Sequence, residues 1–165
     1  MQKKQIYTRN LEPLTVGNRL PNIIINDNRE EEIDLHSIKK NKVYISVPSF
    51  GNHAIMKEIA KLDIIFADFE DIDFYLISNE PVYTQKRLGS GKKLKTFKFL
   101  SDFKLRNFAR YTGTYIYEIS SLVKSVFIVD ANDEVKLVEY YDDLYSNIDV
   151  NEVTKIINEL KEAAY

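Results

Sequence analysis

Apolar and polar positions along this chain fall into blocks that predict alternating strands and helices. The strongest block is 43–59, VYISVPSFGNHAIMKEI. Val43, Ile45 and Val47 alternate with Tyr44 and Ser46, which predicts a buried strand. Pro48 stops it, because proline has no N–H to give to a sheet ladder. After the loop Ser49-Phe50-Gly51-Asn52, the apolar residues Ala54, Ile55, Met56, Ile59 and Leu62 recur at helical spacing. They predict a helix through 55–66, with a break in its apolar pattern near Asp63. A strand that enters a helix N-terminus through such a loop aims backbone N–H groups at one point. That geometry suits an anion or a thiolate.

The rest of the chain reads in the same way. Residues 5–8 and 13–16 predict a small N-terminal hairpin. Strands at 22–26 and 32–35 flank a polar tip at 27–31, and 36–40 forms a helical turn. An acidic turn at 69–73 leads into a strand at 74–78. A strand–helix–strand unit of this length favours a parallel pair with a right-handed crossover. Asn79-Glu80-Pro81 closes that strand at its C-terminal end, where α/β proteins place ligands. A helix follows at 81–88, started by proline in its first turn, and then a strand at 96–100. Ser101 and Asp102 cap a predicted helix at 103–111, which Gly113 ends. Extended segments at 115–118 and 125–129 precede a turn at 130–134 and an antiparallel return at 135–140. The chain closes on a helix at 150–164 with Val150, Val153, Ile156, Ile157 and Leu160 on one face. One domain over 1–165 is expected, a mixed α/β sheet flanked by helices.

Composition changes the chemistry more than the fold. The chain has 165 residues and no cysteine, so thiol catalysis, disulfides and thiolate metal sites are excluded. A net charge of −2 with both signs mixed gives no electrostatic footprint for nucleic acid. Lys39, Lys40 and Lys42 read as a solvated strand edge rather than a basic patch. No apolar run approaches the roughly 18 residues that a membrane span needs, and no signal-peptide pattern opens the chain. A cytoplasmic protein that binds neither membrane nor nucleic acid is the expectation.

Several motifs nevertheless resemble those of the thiol peroxidases, a subgroup of the peroxiredoxins. That family carries P-x-x-x-T-x-x-C after the core strand, its last residue being the peroxide-reducing cysteine. Here Pro48 matches the proline, Asn52 stands at the threonine and Ile55 at the cysteine. A resolving cysteine follows a run like A-Q-K-R-W-C; this chain has Gln85-Lys86-Arg87 and then Gly89 at the cysteine. The family's active-site arginine precedes a strand, and Lys124 holds that place ahead of Ser125-Val126-Phe127-Ile128-Val129-Asp130. Val16-Gly17-Asn18-Arg19-Leu20-Pro21, Leu100-Ser101-Asp102-Phe103 and Val138-Glu139-Tyr140 add to the likeness, which covers residues 14–160. The resemblance implies a thioredoxin-like, peroxiredoxin-type fold with an N-terminal β-hairpin, and a homodimer formed through the loops around the old active site.

The positions Pro48, Asn52, Ile55, Gly89 and Lys124 are therefore vestigial, and no catalytic residue is assigned. Peroxide reduction needs a thiolate, and Ile55 has no lone pair to offer. Lys124 keeps a positive charge without the planar guanidinium fork. The main expectation is a cysteine-free pseudoenzyme that acts in binding or interaction, with Ile55 filling the vacated pocket. The alternative is a small-ligand binder that uses Asn52, His53 and Lys124 in the former peroxide pocket. A third reading, an enzyme with thiol-free chemistry, would need a metal or cofactor, and none is expected. His53, His36 and Glu58 lack the spacing of a metal site. Gly89-Ser90-Gly91-Lys92-Lys93 lacks the spacing and the hydroxyl residue of a phosphate loop.

Overall fold

The alternation at residues 43–47 becomes a central strand because its two faces meet two different apolar layers. The structure is a computed structural model and describes residues 13–89, 93–141, 143 and 145–163. In chain order its strands are β1 (Ile24–Asn26), β2 (Glu32–Asp34), β3 (Asn41–Ser46), β4 (Ile72–Ser78), β5 (Phe97–Ser101), β6 (Tyr115–Ile116), β7 (Ser121–Leu122), β8 (Lys124–Val129) and β9 (Val135–Tyr141). The helices are α1 (His53–Phe66), α2 (Val82–Gly89), α3 (Asn107–Thr112) and α4 (Val150–Ala163). Seven strands form one sheet in the order β2-β1-β5-β4-β3-β8-β9, and β6 pairs with β7 apart from it. The neighbours β3–β4 and β4–β5 are parallel; β3–β8, β8–β9 and β1–β5 are antiparallel.

Residues of one strand divide strictly between the faces. Val43 and Ile45 of β3 pack with Phe74 and Leu76 of β4, under Ile55, Ile59 and Phe66 of α1 and Val153 and Ile157 of α4. On this side Phe66 stacks on Phe74 with centroids 4.5 Å apart. Tyr44, Tyr75, Ile77 and Phe127 face the opposite way, toward Leu20, Ile23, Leu35 and, from α3, Phe108 and Ala109. Period two in the strands and the 3.6-residue period in the helices thus meet in two buried layers. Among the described residues, no helix is long and apolar enough to cross a membrane.

Four local expectations need correction. The helix predicted from residue 103 begins instead at Asn107. Asp102 still caps it, but from a distance: its carboxylate accepts the Phe108 and Ala109 N–H groups, each at 2.8 Å. Residues 103–106 turn first, and Arg106 sits in the left-handed region with φ 57°. α1 runs without interruption, because Asp63 is itself turned inward. Its carboxylate accepts N–H groups of Lys95, Thr96 and Phe97 at 2.9–3.0 Å, so the acid is buried but satisfied. The extended segment at 115–118 is a strand only through Ile116, after which Tyr117–Ile119 forms a 3-10 turn. Lys42 is not on a solvated edge: it is fully buried. The hairpin predicted from residues 5–8 and 13–16 falls mostly on residues 1–12, outside the described residues.

Candidate functional site

The candidate site lies at the C-terminal ends of the parallel strands, where the chain leaves β3 for α1. Val47 extends the ladder by one bond to the Ile77 carbonyl, 2.9 Å, and Pro48 then ends it. The Pro48 carbonyl accepts a hydrogen bond from Ser121 Oγ. Glu80, just past β4, holds the loop that follows. Its carboxylate accepts from Phe50 N (2.8 Å), Ser49 Oγ (2.8 Å) and Ser78 Oγ (3.0 Å). A carboxylate of the chain itself thus takes up loop donors beside the helix entry. The sequence marked Glu80 only as part of a strand terminus; nothing in it pointed to a partner 30 residues upstream.

Asn52 is the N-cap of α1. Its Oδ1 accepts the Ile55 N–H at 3.0 Å, satisfying one of the donors that a helix leaves open in its first turn. Ile55 points inward, is 1% exposed, and belongs to the apolar layer with Val47, Phe50 and Ile59. His53, the first residue of α1, is exposed. His36 is far off in sequence and on another element, its Nε2 donating to the Leu20 carbonyl. Among the described residues, no three His, Asp or Glu side chains cluster in a way that could hold a metal ion.

Lys124 opens β8, directly before the buried Ser125 that pairs with Ser46. Its ammonium donates to Glu58 Oε1 and to the Ser146 carbonyl, and lies 5.5 Å from the centre of the Tyr141 ring. The other Glu58 oxygen accepts the Ile148 N–H at 2.6 Å. Glu58 sits three residues after Ile55, one turn along the same helix. The ion pair therefore ties β8, α1 and the approach to α4 together, with Lys124 only 1% exposed. Burial, with help from the nearby negative charges of Glu139, Glu58 and Asp149, pushes the Tyr141 phenol up to about 12. It stays protonated at neutral pH and is no acid–base group there.

Gly89 is the last residue of α2 and is buried. A Cβ built there would stand 3.3 Å from Phe99 Cε2 and 3.8 Å from Phe50 Cδ2. Those two rings meet edge to face, 4.8 Å between centroids. Ile55 and Gly89 therefore both abut one apolar cluster that includes Phe50. Gln85 of the matching Gln-Lys-Arg run is buried, and its Nε2 donates to Ser78 Oγ and to the Leu100 carbonyl. It braces α2 against β4 and β5, while Lys86 and Arg87 face outward.

Of the sequence-selected residues, Asn52 and Ile55 are in direct contact. Lys124 reaches α1 through Glu58, a residue the sequence had weighed as a partner for His53. A lysine and a glutamate 66 positions apart leave no local signal.

Comparison with known proteins fits this geometry. No family model matches the chain. It is 27% identical over 138 residues to the thiol peroxidase of Clostridium acetobutylicum, covering 82% of this chain and 84% of that protein. Against the thiol peroxidase of Staphylococcus haemolyticus the identity is 32% over 120 residues, covering 72% and 73%. The crystal structure of a peroxiredoxin-like protein from Aquifex aeolicus superposes with a TM-score of 0.82 at 25% identity, covering 90% of this chain and 89% of that one. The fold is the thioredoxin-like fold of the peroxiredoxins. With no cysteine anywhere in its sequence, the chain belongs to the thiol peroxidase family.

Proposed function

We propose that this chain is a non-catalytic thiol peroxidase relative, a cytoplasmic protein retained for binding or interaction. The observation that carries the reading is Ile55. It stands where the family has its peroxide-reducing cysteine, and it is packed in the core at 1% exposure. Peroxide reduction moves an electron pair from a thiolate sulfur to a peroxide oxygen, and a hydrocarbon side chain has no such pair. Two further features point the same way. Asn52 spends its acceptor on the Ile55 N–H, and the Lys124 charge is matched by Glu58. These engagements count against the small-ligand alternative in the old peroxide pocket.

A homodimer through the loops around the former site is part of the proposal. In its favour, large apolar side chains stand exposed around this end: Tyr83 at 74%, Ile119 at 54%, Tyr117 at 51% and Phe103 at 41%. Asn79 Nδ2 donates to the Ser120 carbonyl at 2.7 Å, which brings Ile119 beside the strand end that precedes Tyr83. Exposed aromatic clusters of this kind suit an interface. Sedimentation velocity on the native protein and on Ile119→Asp checks it: a dimer that dissociates in the variant is expected.

The deciding experiment is hydroperoxide consumption with a thiol reductant, comparing the native protein with Ile55→Cys. No turnover by the native chain, with a burst or slow turnover from the variant, is expected. Silence in both leaves the native chain non-catalytic and means that sulfur alone does not restore the site. Turnover by the cysteine-free native protein overturns the reading.

A further inference from the structure

The outer side of α1 carries a groove that neither the former active site nor the aromatic rim uses. It runs between α1 and the segment leading into α4, with a volume of about 460 Å³. Leu62, Ile65, Ile148 and Val150 give it an apolar lining, and Lys57 and Lys61 line it with positive charge. Ile148 and Leu62 are buried, while Ile65 is 40% exposed and the neighbouring Ile64 is 76% exposed. The apolar surface therefore continues out of the groove along the helix.

The charges in this groove are unbalanced. Both lysines are exposed, and none of the ion pairs among the described residues includes either of them. The acid lining the groove, Glu58, is already neutralised, one oxygen by Lys124 and the other by the Ile148 N–H. Two like charges one helical turn apart repel each other. Their separation along the axis, four residues at about 1.5 Å each, is roughly 6 Å.

We propose that this groove docks an acidic amphipathic helix of a partner protein, with apolar side chains laid on Ile65 and the adjoining Ile64 and two carboxylates one turn apart facing Lys57 and Lys61. A helix in a groove recognises its partner by such spaced anchors, and matched charges set its register. A single long-chain carboxylate would need only one of the two lysines and would leave the second unmatched. The proposal stands apart from the peroxidase question: Lys57, Lys61, Ile64 and Ile65 make no part of the former site, which the groove borders only at Glu58 and Ile148.

The test is a displayed library of helical peptides of about sixteen residues, long enough to span α1 at about 1.5 Å per residue. One library fixes Glu at positions four apart and randomises the apolar positions; the control fixes Lys instead. The native protein should enrich binders from the acidic library alone. Their backbone amide shifts should map to residues 54–65 and 147–150. The double reversal Lys57→Glu/Lys61→Glu, checked by circular dichroism for an intact fold, should weaken binding by about tenfold or more. Equal enrichment from both libraries, none from either, or binding that the reversal leaves unchanged overturns the proposal. So does decanoate moving the same resonances while no acidic peptide is enriched, which would make the groove a site for small amphiphiles.

Discussion

Two buried lysines sit at opposite ends of the same pair of antiparallel strands, and the chain handles them differently. Lys42 is the second residue of β3, at the end far from the candidate site. Its ammonium donates to the Ile38 carbonyl (3.0 Å), the Asp130 carbonyl (2.9 Å) and Asp133 Oδ1 (2.8 Å), one acceptor for each of its three protons. Asp133 is itself buried and holds a left-handed φ of 66° to present its carboxylate. Lys124 opens β8 at the site end. Its partner Glu58 comes from a helix, keeps 13% side-chain exposure, and spends its second oxygen on the Ile148 N–H. The first pair closes a turn upon a strand. The second joins three elements at the candidate site, so the cation there is a tie within the fold.

Breaking each pair by removing only the acid's charge gives the largest expected effects and separates the two roles. Asp133→Asn keeps the shape and tolerates the left-handed backbone, but leaves Lys42 charged, buried and without a counter-ion. A loss of about 3–5 kcal/mol is expected, the range for uncovering a buried charge. Glu58→Gln leaves Lys124 the Ser146 carbonyl, the Tyr141 face and a nearby path to water. There a loss of about 1–3 kcal/mol is expected. Urea denaturation of the two variants measures both. If Glu58→Gln proves the more damaging, the site end depends on its ion pair more than burial indicates.

Asp102 sharpens the contrast, as a buried charge at the site end held mainly by N–H groups. Burial raises its carboxyl to about 6, against the lowering pull of the Ala109 and Phe108 N–H groups and of Arg106 and Arg110. Between the ordinary carboxylate range and pH 6, the folded chain then holds a proton that the unfolded chain has released. Stability must fall as pH rises through that window, by at most about 1.4 kcal/mol per pH unit for one proton. Asp102→Asn should remove this slope while weakening the α3 cap. Denaturation midpoints at pH 4.5 and 6.5, native against variant, test it; a native chain that gains as much stability over this interval as the variant would contradict it.

Much of this fold was legible because its strongest signals are periodic. The alternation around Ile45 and the stripe Val150, Val153, Ile157 place β3 and α4 within a residue or two. What escaped were side chains that reach across the fold. Asp63 looked like a break in a helix because its three N–H partners, on Lys95, Thr96 and Phe97, lie more than 30 residues away. Lys42 looked solvated because its acid comes 91 residues later. Asp102 was read as a cap, but the left-handed Arg106 that delays α3 has no signature in residue type. At the candidate site, the absence of any cysteine could be read directly. The tie from Lys124 to Glu58 could not, because which acid meets a lysine is decided by packing.

The smallest expected effect tests how tightly the site end is closed. Replacing Gly89 with alanine removes backbone freedom from the last residue of α2, worth up to about 0.5–1 kcal/mol within a helix and less at its end. Against this, the new Cβ would press on the Phe99 ring at 3.3 Å, closer than ordinary van der Waals contact. Phe99 is only half-buried, so its ring has room to move by the few tenths of an ångström required. The two terms oppose each other and should leave stability within about 0.5 kcal/mol of the native chain. A loss of about 2 kcal/mol or more would mean that the Phe50–Phe99 pair is fixed, as overpacking penalties of that size require a neighbour that cannot yield. Position 89 would then be closed to any side chain, cysteine included. Near-neutrality would mean that the end of α2 accepts a side chain with little change to the packing around it, whereas Ile55 is built into the core.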